Sequence, residues 1–199
     1  MKKKLVGILL TAVMCTASLA MTALAEDSDK IQVAFVPQLI GIPYFTAMDE
    51  GGQQAAEDLG CEWIYTGDTT ASADLQVTQI DSLIRRGVDA ISLSVLDSSS
   101  TNPSIKKAQE AGIIAFTSDS DAADSTRSFY VAQADDIALG ETLMEELAQE
   151  IGGEGKVGIV SGVATATNLN TWIKAMQDYA AKDKTAELLA EIFENVFSD

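Results

Sequence analysis

Histidine is absent from all 199 residues. That absence removes Ser-His-Asp and Cys-His catalysis and every His-based zinc site. Cysteine is nearly absent too. Of its two residues, Cys15 lies in an N-terminal apolar stretch, so Cys61 alone would remain after processing and no internal disulfide could form. Cys61 stands just before an expected strand and reads as a small packed residue. Basic residues are few, 13 Lys+Arg against 30 Asp+Glu. So negative a field repels phosphate backbones, and nucleic acid is not an expected partner. No Gly-x-Gly-x-x-Gly follows a strand, and no Gly-x-x-x-x-Gly-Lys-Ser/Thr occurs. Gly158-Ile159-Val160-Ser161-Gly162 misplaces its serine for a nucleophile elbow. Asp119-Ser120-Asp121 with Asp124 lacks the glycine and distal glutamate of a calcium loop. The expectation is a protein without catalysis, cofactor or metal.

What is present begins at the N-terminus. Lys2, Lys3 and Lys4 precede an almost unbroken apolar run from Leu5 to Leu24. Ala23-Leu24-Ala25 and then Glu26-Asp27-Ser28-Asp29-Lys30 complete the layout of a cleavable export signal over residues 1–25. A retained membrane anchor and a lipid on Cys15 are the alternatives. Met14 disfavours the lipid, because that processing needs a small residue before the cysteine. Export places the mature chain in a periplasm, or on the outer face of a single-membrane cell. Its formal charge is about −20 once three lysines leave. Hydrophobic residues make up 47% of the chain, enough for a real core.

From Ile31 onward strands and helices alternate. Expected strands are Ile31–Val36, Glu62–Tyr65, one within Val88–Val95, Ile113–Phe116, Phe129–Val131 and Lys156–Val160. Expected helices are Tyr44–Leu59, Ser72–Arg86, Pro103–Ala111, Ile137–Ile151 and Asn170–Ala180, most of them closed by glycine. This alternation predicts an α/β fold with a doubly wound parallel sheet. Ligands then bind where the strands' C-terminal ends meet, at a topological switch point. The loops at that edge are rich in hydroxyls, amides and carboxylates, with Tyr44 and Phe45 beside the first. Such a mixture suits a polyol: carboxylates and amides bond adjacent hydroxyls, and an aromatic face covers the ring's C–H side. Either aromatic could instead belong to the core.

The stretches Phe35-Val36-Pro37-Gln38-Leu39-Ile40-Gly41-Ile42-Pro43-Tyr44-Phe45, Ser118-Asp119-Ser120-Asp121, Arg127-Ser128-Phe129-Tyr130 and Thr165-Ala166-Thr167-Asn168-Leu169-Asn170-Thr171-Trp172 occur in order. Together they resemble the type I periplasmic sugar-binding proteins of ABC importers, nearest the rhamnose-binding and autoinducer-2-binding branch. The resemblance implies two α/β lobes that close on a sugar and a membrane permease as partner. The chain is expected to be a monomer. The resemblance makes Asp119 a carboxylate for ligand hydroxyls, and Gln38, Tyr44, Phe45 and Asn168 further ligand-binding positions. Gln38 stands where autoinducer-2 binders carry lysine. Asn168 fits the rhamnose type, while Leu169 fits neither.

Residues 26–134 are thus expected to form a first lobe and 135–181 the opening of a second. Residues 182–199 are expected to form an atypical C-terminal helix, with Leu188, Leu189, Ile192, Phe193, Val196 and Phe197 in one apolar stripe. The family runs further, so the chain reads either as a short receptor or as a truncated fragment that folds as one lobe and binds no sugar tightly. Cleavage is expected after Ala25. Mass spectrometry of the exported protein should find Glu26 at the N-terminus, and a lipidated N-terminus at Cys15 would refute it.

Overall fold

Short apolar runs stopped by turn residues pair side by side, all parallel. They are β1 (Gln32–Val36), β2 (Glu62–Tyr65), β3 (Ala90–Leu93), β4 (Ile114–Ser118) and β5 (Tyr130–Val131), in the order β2-β1-β3-β4-β5. The computed structural model describes residues 30–183 and 187–193. The expected export signal lies outside the described residues. Three helices link the strands: α1 (Pro43–Leu59), α2 (Ala73–Arg86) and α3 (Ser98–Glu110). β1 lies between β2 and β3, so the connections leaving β1 and β3 diverge and open a crevice at their C-terminal ends. This is the doubly wound sheet expected from the alternation.

Local signals explain the helices. Ser72 caps α2, Asp74 and the Arg85-Arg86 pair suit its dipole, and left-handed Gly87 ends it. α3 starts earlier than Pro103, the expected first residue. The Asp97 carboxylate accepts from the Ser100 N–H at 2.8 Å, and that cap sets the start at Ser98, leaving Pro103 inside the helix. Hydrogen bonds from Ser99 and Ser100 hold the Asp97 carboxyl below its ordinary range.

Strand alternation divides the core. Ala34, Val36, Ile91, Leu93 and Ala115 face α2 and α3, meeting Ile80, Leu83, Ile105 and Ala108. Phe35 points the other way. It stacks on Trp63 and Tyr65 and meets Phe45 of α1. α1 approaches so closely that a Cβ on Gly52 would lie 2.1 Å from the Trp63 ring. Farther along that same face, over β4 and β5, no helix among the described residues covers the sheet. Ile114 is 53% exposed, Val131 is also open, and Phe116 stacks on exposed Phe129 at 4.5 Å.

A second, smaller sheet follows. Helix α4 (Asp136–Glu150) leads to β6 (Lys156–Val160), then α5 (Thr167–Asp183), then β7 (Glu187–Phe193), which pairs with β6 in parallel. α5 begins at Thr167, not Asn170, so Asn168 belongs to a first helical turn and not to a loop. The expected C-terminal helix is corrected over 187–193: the backbone there is a strand. An apolar run reads equally as a buried strand or a helix stripe, and pairing with β6 decides for the strand. Residues 194–199 lie outside the described residues. Val157 packs with Met144 and Ala180 against α4 and α5, while Val160 on the opposite face is 79% exposed.

One buried side chain ties the two crevice loops together. Gln76 of α2 donates through Nε2 to the carbonyls of Pro37 (3.0 Å) and Ser94 (2.8 Å). Its Oε1 accepts from the Leu96 N–H at 3.1 Å. A second lock, between Asp121 and Arg127, closes the loop between β4 and β5. Burial pushes the Asp121 carboxyl up, but hydrogen bonds from Arg127 and Thr117 outweigh it and hold the group low.

Two stability predictions follow from this packing. Gln76→Met keeps the volume and removes three hydrogen bonds to buried backbone, and should cost about 2–4 kcal/mol in urea unfolding. Gly140→Ala should also destabilise, by about 1–3 kcal/mol, despite alanine's better helix propensity. A Cβ there would meet the Trp172 carbonyl of α5 at 2.5 Å, so α4 and α5 would have to separate.

Candidate ligand-binding crevice

The end of β4 carries the most constrained residue of the sheet edge. Asp119 is the sole described non-glycine residue with positive φ, at 66°, and is 5% exposed. Aspartate tolerates this left-handed turn better than most residues. Its backbone is held on both sides. Its N–H donates to the Val131 carbonyl at 3.1 Å, and its own carbonyl accepts from the Tyr130 hydroxyl at 2.8 Å. Its carboxylate accepts two hydroxyl donors, Tyr44 on Oδ1 at 2.7 Å and Ser94 on Oδ2 at 2.5 Å.

The donors are dependable at neutral pH. Burial, then the hydrogen bond and charge of Asp119, raise the Tyr44 phenol well above its ordinary value. Burial and the nearby carboxylates Asp136, Asp121 and Asp119 push the Tyr130 phenol up to about 12. Tyr44 is nonetheless 46% exposed, so its ring stands at the mouth while its hydroxyl reaches inward. α1 begins at this mouth without a side-chain cap at Ile42 and without an acidic residue in its first turn.

The opposite wall comes from the first turn of α5. The Gln38 amide, on the loop after β1, donates to the Val95 carbonyl at 3.1 Å and to Asn168 Oδ1 at 3.4 Å. The Thr167 N–H donates to the Leu96 carbonyl at 3.2 Å. Elements of both sheets therefore meet at the switch point, and Asn168 is buried there.

Of the residues expected at the site, Gln38, Tyr44, Asp119 and Asn168 converge on this crevice. Phe45 is buried in the core against Phe35 and meets Tyr44 edge-on at 5.1 Å. Leu169 lies within 2.9 Å of where a Cβ on Gly162 would stand. Ser94 and Gln76 were not anticipated. Gln76 had a signal: it falls on the apolar stripe of α2 with Ile80 and Leu83, where a polar side chain needs buried partners. Ser94 had none, because serine in a strand-end loop is ordinary. Cys61 is half-buried before β2. A groove along α5 has its polar groups already engaged: Asn170 donates to the Ala164 carbonyl, Thr171 to the Thr167 carbonyl, and Lys174 pairs with Asp178. Among the described residues no group of three or more Asp, Glu, Cys or His could hold a metal ion.

Comparison with known proteins agrees with this fold. The D-ribose/D-allose-binding protein of Pseudomonas aeruginosa is 28% identical over 183 residues, covering 84% of this chain and 54% of its own length. The chain thus spans about half the length of the curated relatives it matches. A solute-binding protein of Clostridium phytofermentas with bound L-rhamnose superposes with a TM-score of 0.78 at 28% identity, covering 83% of this chain and 52% of that one. LsrB of Clostridium saccharobutylicum in complex with AI-2 gives 0.72 at 30% identity, covering 80% and 52%. The sequence family described as the periplasmic binding protein domain matches residues 33–196, and to that family this chain belongs.

Proposed function

We propose that this chain is the extracytoplasmic substrate-binding component of an ABC-type sugar importer. Its ligand is a monosaccharide or sugar-like molecule of the rhamnose or autoinducer-2 type, bound at the crevice between the two sheets. The observation that carries the reading is that Asp119 with Tyr44, and Gln38 reaching from the loop after β1 to Asn168 of α5, gather about Ser94 and Val95. A carboxylate, a phenol and two amides supply the directional bonds that adjacent hydroxyls require. The Tyr44 ring stands where the apolar side of a sugar would pass. Lobe closure on the ligand would present the closed form to a membrane permease, with no chemical step. The relatives, described as ribose- or rhamnose-binding, support the ligand class. Export to the periplasm or outer face, and action as a monomer, complete the proposal.

A second reading rests on the open faces. Parallel sheets are ordinarily covered on both sides. Here Ile114, Phe129, Val131 and Val160 remain exposed. A unit so uncovered would fold about its first sheet and hold sugars weakly, because tight sites enclose most of the ligand.

Titration calorimetry with D-ribose, D-allose, L-rhamnose and autoinducer-2 separates the two. Micromolar binding supports the receptor, and binding at about millimolar or weaker supports the fragment. In a binding-competent protein Asp119→Ala should weaken affinity by about 1.5–3 kcal/mol, the scale of hydrogen bonds to a charged group. Unchanged affinity would remove Asp119 from the site.

A further inference from the structure

We infer that the crevice selects its ligands by charge: it rejects anionic sugars and accepts an ammonium in place of a hydroxyl. This rests on the sugar-binding reading above and goes beyond it to the class of sugar.

Asp119 is buried, and the partners of its carboxylate are two neutral hydroxyls, on Tyr44 and Ser94. Among the described residues no ion pair reaches it. The nearest candidate cation in sequence, Arg127, is spent on Asp121 through both Nε and Nη2. Lys174 of α5 is spent on Asp178. The amides of Gln38 and Asn168 are neutral as well and engaged with each other. Ser120, next to Asp119, is fully buried and offers a hydroxyl without a hydrogen-bond partner, not a charge.

The crevice is also rich in acceptors. Asp119 contributes two carboxylate oxygens, each with a lone pair left after its hydroxyl bond, and the Val95 carbonyl is a further acceptor, already bonded by Gln38. A ligand carboxylate or phosphate would add acceptors where donors are needed. It would also set a like charge beside a buried carboxylate that no cation offsets. The uncapped N-terminus of α1 opposes this with only about half an elementary charge. The full charge of Asp119 and the chain's net −17 outweigh it. An ammonium brings three donors and the complementary sign.

The test is calorimetry on the 199-residue chain. The tightest of D-ribose, D-allose and L-rhamnose is found first. Its aldonate, with a carboxylate at C1, is then compared with its 1-amino-1-deoxy alditol, two open-chain probes of opposite charge. The amine should bind at least about tenfold tighter than the aldonate at low salt, with the ratio shrinking as salt is added. Asp119→Asn, checked for folding by circular dichroism, should collapse the ratio toward one while weakening the neutral sugar. If that variant does not fold, the wild-type ratio decides alone. A ratio below tenfold, or exclusion of both charged probes while the aldose binds, overturns the inference. Binding of none of the three aldoses overturns it as well. In that event, binding of autoinducer-2 would leave the solute-binding reading standing, and its absence would remove that too.

Discussion

The carboxamide of Gln76 is the joint on which the crevice is built. The two loops that frame the switch point leave adjacent strands in diverging directions, and the backbone pairing between those strands ends at Val36 and Leu93 with one further bond, from the Ser94 N–H to the Val36 carbonyl at 3.1 Å. One side chain from α2 bonds the carbonyls of Pro37 and Ser94 and the N–H of Leu96. Glutamine suits the task because it donates and accepts at once without a charge to bury. An ionised glutamate could accept from Leu96 but could not donate to either carbonyl. The hydrophobic contacts of Ile80 and Leu83 seat α2, and its amide then transmits that placement to Gln38 on one loop and to Ser94 and Val95 on the other.

Much of this architecture was legible in the sequence where the signals are local. Apolar runs bounded by Pro37, Gly60 and Gly87 became β1, α1 and α2 nearly as read, because stops and caps act within a few residues. The errors came where two local rules competed. At Pro103 proline's preference for a helix start competed with the Asp97 cap, and the cap with its side-chain hydrogen bond prevailed. At residues 187–193 a helical stripe competed with a strand, and a distant partner, β6, decided. No window of sequence contains that partner.

The crevice was legible for a different reason. Asp119, Gln38 and Tyr44 follow strand ends of one sheet, and parallel topology brings those ends together whatever the loops contain, whereas Asn168 comes from the helix after β6 of the second sheet. What could not be read was which side chains would serve one another. The Tyr44 and Ser94 bonds to Asp119 join residues 75 and 25 positions apart. Nor does composition say whether a face will be covered. Ile114, Phe129 and Val131 look like core residues in sequence and stand open in the fold.

The left-handed backbone at Asp119 reaches beyond the geometry of one site. Few side chains accept that conformation, chiefly glycine, asparagine and aspartate. Glycine has no acceptor to give, and asparagine exchanges one of two acceptors for a donor. Backbone strain therefore restricts this position before any ligand does, and mutational drift has few exits from it that keep the turn. Gln38 and Asn168 occupy ordinary backbone and carry no such restriction. Over many generations, substitutions could accumulate at those two positions while the carboxylate stayed in place as a fixed point of the fold.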